Sequence, residues 1–238
     1  MPRRKICLLA MIPLLLFWTV TAIIIDSTRR TLPAAAAASI TAGRGVPTLV
    51  IDPGHGGLDG GAVSPDGLTE SGLNLAIALK TREIARLFGN EPVMTRTSET
   101  LDYPETEQSI HDKKVWDQKQ RVARINAVEN AVLLSIHQNK FPDRRPRGTL
   151  VLYGKADGSK QLAELTHSNL TELLYPENRR VAAPVSDSIY LMKHLRCPAI
   201  LVECGFLSNP EETQLLRSDS YQTKLALILY SSYLQYFS

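Results

Sequence analysis

The stretch Thr48-Leu-Val-Ile-Asp-Pro-Gly-His55-Gly-Gly57 begins with a short apolar run and ends in a glycine-rich turn that carries a histidine. An apolar run of this length, bounded by Pro and Gly, is typical of a buried β-strand. Two later stretches, Val132-Leu-Leu-Ser-Ile-His137-Gln-Asn139 and Ala199-Ile-Leu-Val-Glu203-Cys-Gly205, have the same form. Open α/β sheets place their functional sites at the carboxyl ends of the strands. The three stretches therefore predict one sheet edge that presents two histidines and a glutamate, as in a metal-dependent hydrolase.

Helical and extended patterns alternate along the chain from residue 47 onward. Apolar residues at helical spacing indicate helices, and short apolar runs bounded by Gly, Pro or Asn indicate strands. This alternation predicts an α/β domain with a mixed, partly parallel central sheet flanked by helices. Predicted helices cover about 70–88, 113–129, 158–174 and 220–237, with a short one from 210; predicted strands cover 48–52, 92–95, 131–136, 149–153, 188–192 and 199–203; 98–111 is predicted to be a loop.

The distribution of charge argues against a nucleic-acid partner. The 238 residues have a formal net charge of +3, of which residues 1–47 contribute +5 and the remainder −2. The domain therefore lacks the basic footprint that nucleic-acid-binding proteins need, and no nucleic acid is expected as a partner.

The three cysteines do not predict a disulfide framework. Cys197 and Cys204 flank a predicted strand and would lie roughly 23 Å apart at about 3.3 Å per residue. A disulfide needs Cα atoms within about 7 Å of each other. We interpret both residues and Cys7 as thiols, with Cys204 as a small core residue.

The first 46 residues predict a membrane anchor and a linker. Residues 6–25 form an uncharged run of 20 residues, long enough for one N-terminal transmembrane helix. Pro2-Arg-Arg-Lys5 precedes the run, so the positive-inside rule places the N-terminus in the cytoplasm and the domain outside the cytoplasmic membrane. The predicted organisation is a cytoplasmic tip and signal anchor over 1–25, a mobile linker over 26–46 and a catalytic domain over 47–238. The alternative is secretion after cleavage of a signal peptide, because Ala34–Ser39 offers small residues to a peptidase.

Four residues form the candidate site. A hydrolytic zinc site takes three protein ligands and keeps one position for water, and His55, Glu70 and His137 make a familiar set. Each also has an ordinary explanation, since a histidine can be a simple hydrogen-bonding residue and Glu70 can stabilise a helix N-terminus. Glu203 is harder to explain, because burial of an unpaired carboxylate after an apolar strand costs free energy. The remaining histidines lie in polar or exposed patterns and are expected to be solvated: His111, His167 and His194.

Six motifs follow one another in the domain, from about residue 48 to 237: Val50-Ile-Asp-Pro-Gly-His-Gly-Gly57, Glu70-Ser-Gly-Leu-Asn-Leu75, Thr95-Arg96, Arg121…Asn126, Ser135-Ile-His-Gln-Asn139 and Val202-Glu-Cys-Gly-Phe-Leu-Ser-Asn209. As a set they resemble the zinc-dependent N-acetylmuramoyl-L-alanine amidases of the amidase 3 type. The resemblance implies Zn²⁺ as the cofactor, His55, Glu70 and His137 as its ligands, and Glu203 as the catalytic carboxylate. It also implies a mixed-strand sheet flanked by helices, and peptidoglycan glycan strands with stem peptides as the substrate.

Within that family the chain resembles the CwlD type of endospore-forming bacteria. Those enzymes are short and singly anchored, and they act in forming the muramic-δ-lactam of spore cortex. Ser188-Ile-Tyr-Leu-Met192, the insert Leu101–Gln120 and the lack of wall-binding repeats carry this resemblance. The segment 98–120 is expected to shape the groove for the glycan.

The resemblance implies hydrolysis of the amide between N-acetylmuramic acid and L-alanine, with Glu203 moving the proton from water to the leaving nitrogen. The alternatives are a vegetative wall-turnover amidase, a zinc peptidase with the same ligands, and a non-catalytic wall-binding module. The last would tolerate loss of a ligand or of Glu203, and all four residues are present. The sequence does not assign the substrate-binding residues or an activator protein.

Overall fold

Six strands form one sheet in the computed structural model of the chain, which describes residues 46–106 and 109–238. They are β1 (Thr48–Pro53), β2 (Val93–Met94), β3 (Ala131–Asn139), β4 (Leu150–Tyr153), β5 (Ala183–Pro184) and β6 (Ala199–Phe206). Their order across the sheet is β2-β1-β3-β6-β4-β5. The first four in this order are parallel to one another, and β4 pairs antiparallel with β6. The prediction of a mixed, partly parallel sheet is confirmed.

Helices flank this sheet: α1 (Glu70–Leu87), α2 (Ile110–Asn126), α3 (Ser159–Leu174), α4 (Tyr190–His194), α5 (Pro210–Arg217) and α6 (Asp219–Tyr236). α6 packs against α1, α3 and α5, whereas α2 packs against α4. The helices therefore form two groups. Since side chains of a strand alternate between the faces of a sheet, each group can cover one face.

The core lies along β1, β3 and β6. Val50, Leu133 and Leu201 pack with Ile125 of α2 and Met192 of α4. Apolar runs without polar alternation are typical of parallel strands that are buried on both faces, which explains why these three strands were predictable. In the register of the sheet, His137 of β3 lies opposite Glu203 of β6.

The predicted strand over 188–192 is wrong. Its last three residues, 190–192, belong to α4, and the short strand β5 lies earlier, at Ala183–Pro184. Leu191 and Met192 are buried between exposed neighbours, and the Asn126 side chain donates a hydrogen bond to the His194 carbonyl at the end of the helix. This capping contact and the burial of one apolar face favour a helical turn.

The predicted loop over 98–111 is too long. α2 begins at Ile110 because the Ser109 hydroxyl accepts a hydrogen bond from the Asp112 amide, a typical N-cap. His111 consequently lies in the first turn of α2, where it is exposed as expected.

Part of the prediction falls outside the described residues. This part comprises the transmembrane helix over 6–25, Cys7 and all of the linker except Val46. Among the helices that the structure does describe, none combines the length and the apolar character needed to cross a bilayer. Cys197 and Cys204 are free thiols, and Cys204 is buried as expected.

Candidate active site

The three predicted metal ligands meet at the carboxyl edge of the sheet. One ligand atom from each of His55, Glu70 and His137 lies within 4.8 Å of the other two. Glu70 Oε1 is 3.2 Å from His55 Nε2 and 2.9 Å from His137 Nδ1. Two imidazole nitrogens and a carboxylate oxygen are donors that zinc prefers, so the residues present fit a zinc ion.

His55 lies in a strained turn directly after β1. Its φ is 61°, a left-handed conformation that is uncommon for any residue other than glycine. The Nδ1 of His55 is 2.9 Å from Asp59 Oδ2, which leaves Nε2 to face Glu70. A Cβ atom on Gly54 would overlap the His137 ring, so this close approach of β1 and β3 requires glycine.

Two buried arginines hold the carbonyl groups of this turn. Arg121 of α2 donates hydrogen bonds to the Pro53 carbonyl at 2.8 Å and the His55 carbonyl at 2.5 Å. Arg96 donates to the Pro53 and Gly54 carbonyls, each at 3.0 Å. Buried carbonyl groups need such donors, so the two guanidinium groups stabilise the conformation that presents His55.

Asp52, at the end of β1, balances the Arg121 charge. Its carboxylate accepts hydrogen bonds from Arg121, Thr95 and Ser135 at 2.7, 2.6 and 2.7 Å. Burial alone would raise the pKa of Asp52, but the Arg121 charge and the two hydroxyl groups lower it below its usual value. The carboxylate is therefore charged at neutral pH and forms a buried ion pair.

Glu70, the first residue of α1, is buried and held on both oxygens. Oε1 accepts a hydrogen bond from the Gln138 amide at 3.1 Å, and Oε2 accepts one from the Ala62 amide at 2.8 Å. Burial raises its pKa, but hydrogen bonds and charges of His137 and His55 outweigh this and hold the pKa well below the usual range. Glu70 is thus an ionised carboxylate in a fixed orientation, as a metal ligand must be.

The electrostatics of His55 favour a bound cation. Burial lowers its pKa, but hydrogen bonds and charges from Asp59 and Glu70 outweigh burial and raise the pKa to about 9. A metal ion must displace the proton on Nε2, so metal binding to this site releases a proton.

Glu203 is a half-buried residue with one carboxylate oxygen that is buried and unsatisfied. Its Oε2 atom has no hydrogen-bond partner among the described residues. Burial raises its pKa to about 7; the Glu70 charge adds to the increase, and His137 and His55 oppose it. A buried carboxylate oxygen without a partner costs free energy, and such a group beside a cluster of candidate metal ligands is typical of a catalytic site.

The structure brings His55, Glu70, His137 and Glu203 together at one edge. Of the other histidines, His194 is exposed, as expected. The expectation for His167 is wrong, because this residue is half-buried on α3 and its Nε2 donates to the Arg180 carbonyl at 2.7 Å.

Several residues that orient the candidate ligands were not assigned roles from the sequence. Asn74 lies one helical turn after Glu70, and its side-chain amide donates to the Gly54 carbonyl at 3.1 Å. Asp59 follows His55 by four residues in a glycine-rich loop. The spacing of Asn74 on α1 was a signal available in the sequence, since residues four apart share one face of a helix. Arg96 and Arg121 gave no such signal.

A family model described as N-acetylmuramoyl-L-alanine amidase matches residues 49–232. The chain belongs to the N-acetylmuramoyl-L-alanine amidase family. The germination-specific N-acetylmuramoyl-L-alanine amidase of Bacillus subtilis (strain 168) is 37% identical to this amidase over 191 residues, which are 80% of this chain and 79% of the relative. The N-acetylmuramoyl-L-alanine amidase LytC of the same organism is 28% identical over 193 residues, and only 35% of LytC is covered.

A solved structure agrees with these relatives. The CwlD amidase from Clostridioides difficile, in complex with the GerS lipoprotein, is 34% identical and superposes with a TM-score of 0.76, covering 80% of this chain and 98% of that one. The predicted family, its CwlD-like character and the amidase activity are therefore confirmed. This amidase acts on peptidoglycan.

Proposed function

We propose that this amidase hydrolyses the bond between N-acetylmuramic acid and L-alanine with a zinc ion held by His55, Glu70 and His137, and with Glu203 as general base. The observation that carries the proposal is the Glu203 carboxylate, whose Oε2 atom is buried and has no hydrogen-bond partner among the described residues. It lies opposite His137 on the neighbouring strand, and adjacent strands are about 4.8 Å apart. When bound, zinc would supply a Lewis acid that polarises the substrate carbonyl and lowers the pKa of a water molecule.

The protein's own residues would move the proton. A carboxylate with a pKa near the working pH is suited to accept a proton from the attacking water and then to donate it to the leaving nitrogen. The pKa of Glu203, raised by burial to about 7, satisfies this condition. Its unpartnered Oε2 is the atom that would accept the proton.

Digestion of purified peptidoglycan by the full-length, zinc-loaded protein tests the reaction. We expect mass spectrometry to find stem peptides with a free L-alanine amine and glycan strands that remain intact. Cleavage inside the stem peptide, with L-alanine still joined to muramic acid, would show instead that the chain is a zinc peptidase.

We further propose that the enzyme acts in forming the muramic-δ-lactam of spore cortex. The germination-specific relative supports this role, since its identity with this chain is higher than that of LytC and the match covers most of its length. Vegetative wall turnover is the second candidate, and the similarity to LytC favours it. Muropeptide profiles of spores that lack the protein separate the two. Loss of lactam with normal vegetative growth and cell separation supports the cortex role, whereas normal lactam or unseparated cells would favour turnover.

The proposed location is the cytoplasmic membrane. Residues 1–25 would form the cytoplasmic tip and single anchor, 26–46 the linker, and 47–238 the catalytic domain outside the cytoplasm, because basic residues precede the uncharged run. The similar CwlD amidase from Clostridioides difficile was solved in complex with the GerS lipoprotein. A lipoprotein partner at the outer face of the membrane is therefore proposed for this chain as well.

A further inference from the structure

The Asp59 side chain joins a candidate zinc ligand to helix α2. Its Oδ2 atom lies 2.9 Å from His55 Nδ1, and its Oδ1 atom lies 2.9 Å from Lys114 Nζ. Lys114 lies in the first half of α2, within the insert over 101–120. The three side chains therefore form a continuous series of polar contacts from the surface of the domain to the candidate metal site.

The turn that follows His55 is closed by backbone atoms, without the Asp59 carboxylate. The Gly56 amide donates to the Asp59 carbonyl at 2.8 Å, and the Asp59 amide donates to the Gly56 carbonyl at 3.0 Å. These two bonds form an isolated antiparallel bridge between the two residues. Replacement of the carboxylate would leave both bonds in place, so the contribution of the side chain lies in its own contacts.

The Asp59 carboxylate determines which nitrogen of His55 carries the proton. A carboxylate can only accept hydrogen bonds, so the contact with Oδ2 places the proton of a neutral His55 on Nδ1. The unprotonated Nε2 then faces Glu70, at 3.2 Å from its Oε1 atom. Zinc binds an unprotonated imidazole nitrogen, and a hydrogen bond on the other nitrogen fixes the orientation of the ring. Asp59 thus presents the nitrogen that faces the other candidate ligands.

His55 depends on such a partner more than His137 does. His137 lies within β3, where pairing with β1 and β6 holds its backbone. His55 lies in a turn with a left-handed backbone, and its side chain is 27% exposed, compared with 17% for His137. A ring in this position has fewer neighbours that restrict its rotation, so the hydrogen bond from Nδ1 to Asp59 has more to hold.

Lys114 fixes the direction of the Asp59 carboxylate. The Gly61 amide also donates to Oδ1, but at the longer distance of 3.3 Å. Lys114 Nζ is the nearer donor, and its contact with Oδ1 leaves Oδ2 to His55. Because the Lys114 side chain is 47% exposed, solvent weakens this ion pair, and we expect its effect to be smaller than that of Asp59.

We propose that Asp59 is a positioning residue that holds His55 in the orientation for zinc, and that Lys114 acts through Asp59. Both roles rest on the proposed function, since they require that His55 binds zinc. They make the metal affinity depend on α2 as well as on the residues at the sheet edge.

The zinc affinity of full-length variants, measured by competition with a chromogenic chelator, tests the role of Asp59. Asp59→Ala should lower the affinity about tenfold or more, because a partner behind a metal ligand typically contributes about 10–100-fold. Asp59→Asn keeps an oxygen that can accept from Nδ1 but loses the charge, so its affinity should lie between that of Asp59→Ala and that of the wild type. Asp157→Ala, at an exposed aspartate ahead of α3, is the matched control and should resemble the wild type.

A double-mutant cycle tests the role of Lys114. Lys114→Gln should lower the zinc affinity about two- to fivefold, as expected for a partly exposed ion pair. In the Asp59→Ala background the same change should have no further effect, because Lys114 then has no carboxylate to hold. Lys113→Gln removes the same charge from the neighbouring residue, whose Nζ lies over the Tyr103 ring, and its effect should be the same in both backgrounds. If Lys114→Gln also has equal effects in both backgrounds, Lys114 does not act through Asp59.

Nuclear magnetic resonance of isotope-labelled histidine separates a positioning role from a loss of fold. In the zinc-loaded wild type, we expect a proton on His55 Nδ1 that exchanges slowly with water, because Asp59 accepts it. In zinc-loaded Asp59→Ala this proton should exchange faster, whereas the backbone amide spectrum outside the turn should stay the same.

The outcomes distinguish failure of this role from failure of the proposed function. If Asp59→Ala binds zinc as tightly as the wild type, or if the Nδ1 proton exchanges at the same rate in both proteins, Asp59 does not position His55 and the amidase proposal stands. If the wild type binds no zinc, or if His55→Ala binds zinc like the wild type, the proposed metal site fails and the role of Asp59 fails with it.

Discussion

Arg121 Nη1 lies 2.7 Å from Asp52 Oδ1, and both side chains are almost fully buried, with 3% and 1% of their surface exposed. The same guanidinium donates to the carbonyl of His55. The ion pair therefore does more than join α2 to β1, because it also holds the turn that positions a candidate metal ligand.

Arg121→Ala should lower the free energy of unfolding by about 3–5 kcal/mol, because Asp52 would stay buried without its counter-charge. Zinc affinity should fall too, since the His55 carbonyl loses its donor. Urea denaturation in a chelator and zinc titration measure the two effects. Lys119→Ala, at an exposed position of the same helix, is the control. If Arg121→Ala costs no more stability than Lys119→Ala, the pair does not stabilise the fold.

Removal of any one candidate ligand should abolish tight zinc binding. In His55→Ala, Glu70→Ala and His137→Ala we expect affinity to fall about 100-fold or more, since even residues behind a ligand contribute 10–100-fold. Competition with a chromogenic chelator gives the affinities. His194→Ala, an exposed histidine on α4, should bind zinc like the wild type. Full amide cleavage after complete chelation would show that the reaction needs no metal.

Glu203→Gln should keep zinc and fold but lower kcat about 10²–10⁴-fold, because the change removes the proton acceptor and little volume. Turnover on muropeptides and zinc content, measured on the same preparation, check this. Glu129→Gln, at an exposed glutamate, controls for a lost charge. A decrease smaller than about tenfold would assign the proton transfer to another residue.

The stability of chelated protein should also depend on pH through Glu203. Burial raises its pKa from 4.5 to about 7, so the protonated side chain contributes stability that is fully present below pH 4.5 and is lost as the pH rises through 7. At about 1.4 kcal/mol per pKa unit, this contribution is on the order of 3 kcal/mol. Glu203→Gln should therefore gain about that much relative to the wild type between pH 4.5 and pH 8, as measured by urea denaturation. A difference that stays constant with pH would contradict the raised pKa.

The full-length protein should fractionate with membranes, and its catalytic domain should be accessible to protease from outside the cytoplasm. The expectation comes from Pro2-Arg-Arg-Lys5 before the uncharged run over 6–25. N-terminal sequencing of the native protein decides between anchor and signal peptide. A mature chain that begins near Ala38 and is free in the medium would contradict an anchor.

β1, β3 and β6 could be predicted from the sequence because each is an apolar run that ends in a polar site residue. The short strand β5 could not, since two residues carry no periodicity and only pairing with β4 defines them. α4 was read as a strand because the burial of Leu191 and Met192 depends on packing against distant elements. Tertiary contacts decide both cases.

Dependence on tertiary contacts also limits what the sequence predicts about the candidate site. The candidate site residues that end strands or begin a helix could be predicted from the sequence, because each one follows an apolar run or opens a helical pattern. Arg96 and Arg121 were quoted as motif residues without a role, because charged side chains are usually exposed. Their burial depends on carbonyl groups of a turn that lies 42 to 68 positions earlier in the chain.

The sheet order places β1, β3 and β6 side by side, although the chain inserts long segments between them. Among the candidate ligands, only His55 and Glu70 lie near each other in the sequence. His137 can join them only after these strands have paired. Pairing of strands that are distant in sequence is slow, because loop-closure entropy opposes it. We therefore expect a newly made chain to assemble the candidate site late, when the central sheet is complete. In the same way, we expect a partly folded chain to lack both the metal site and the carboxylate beside it.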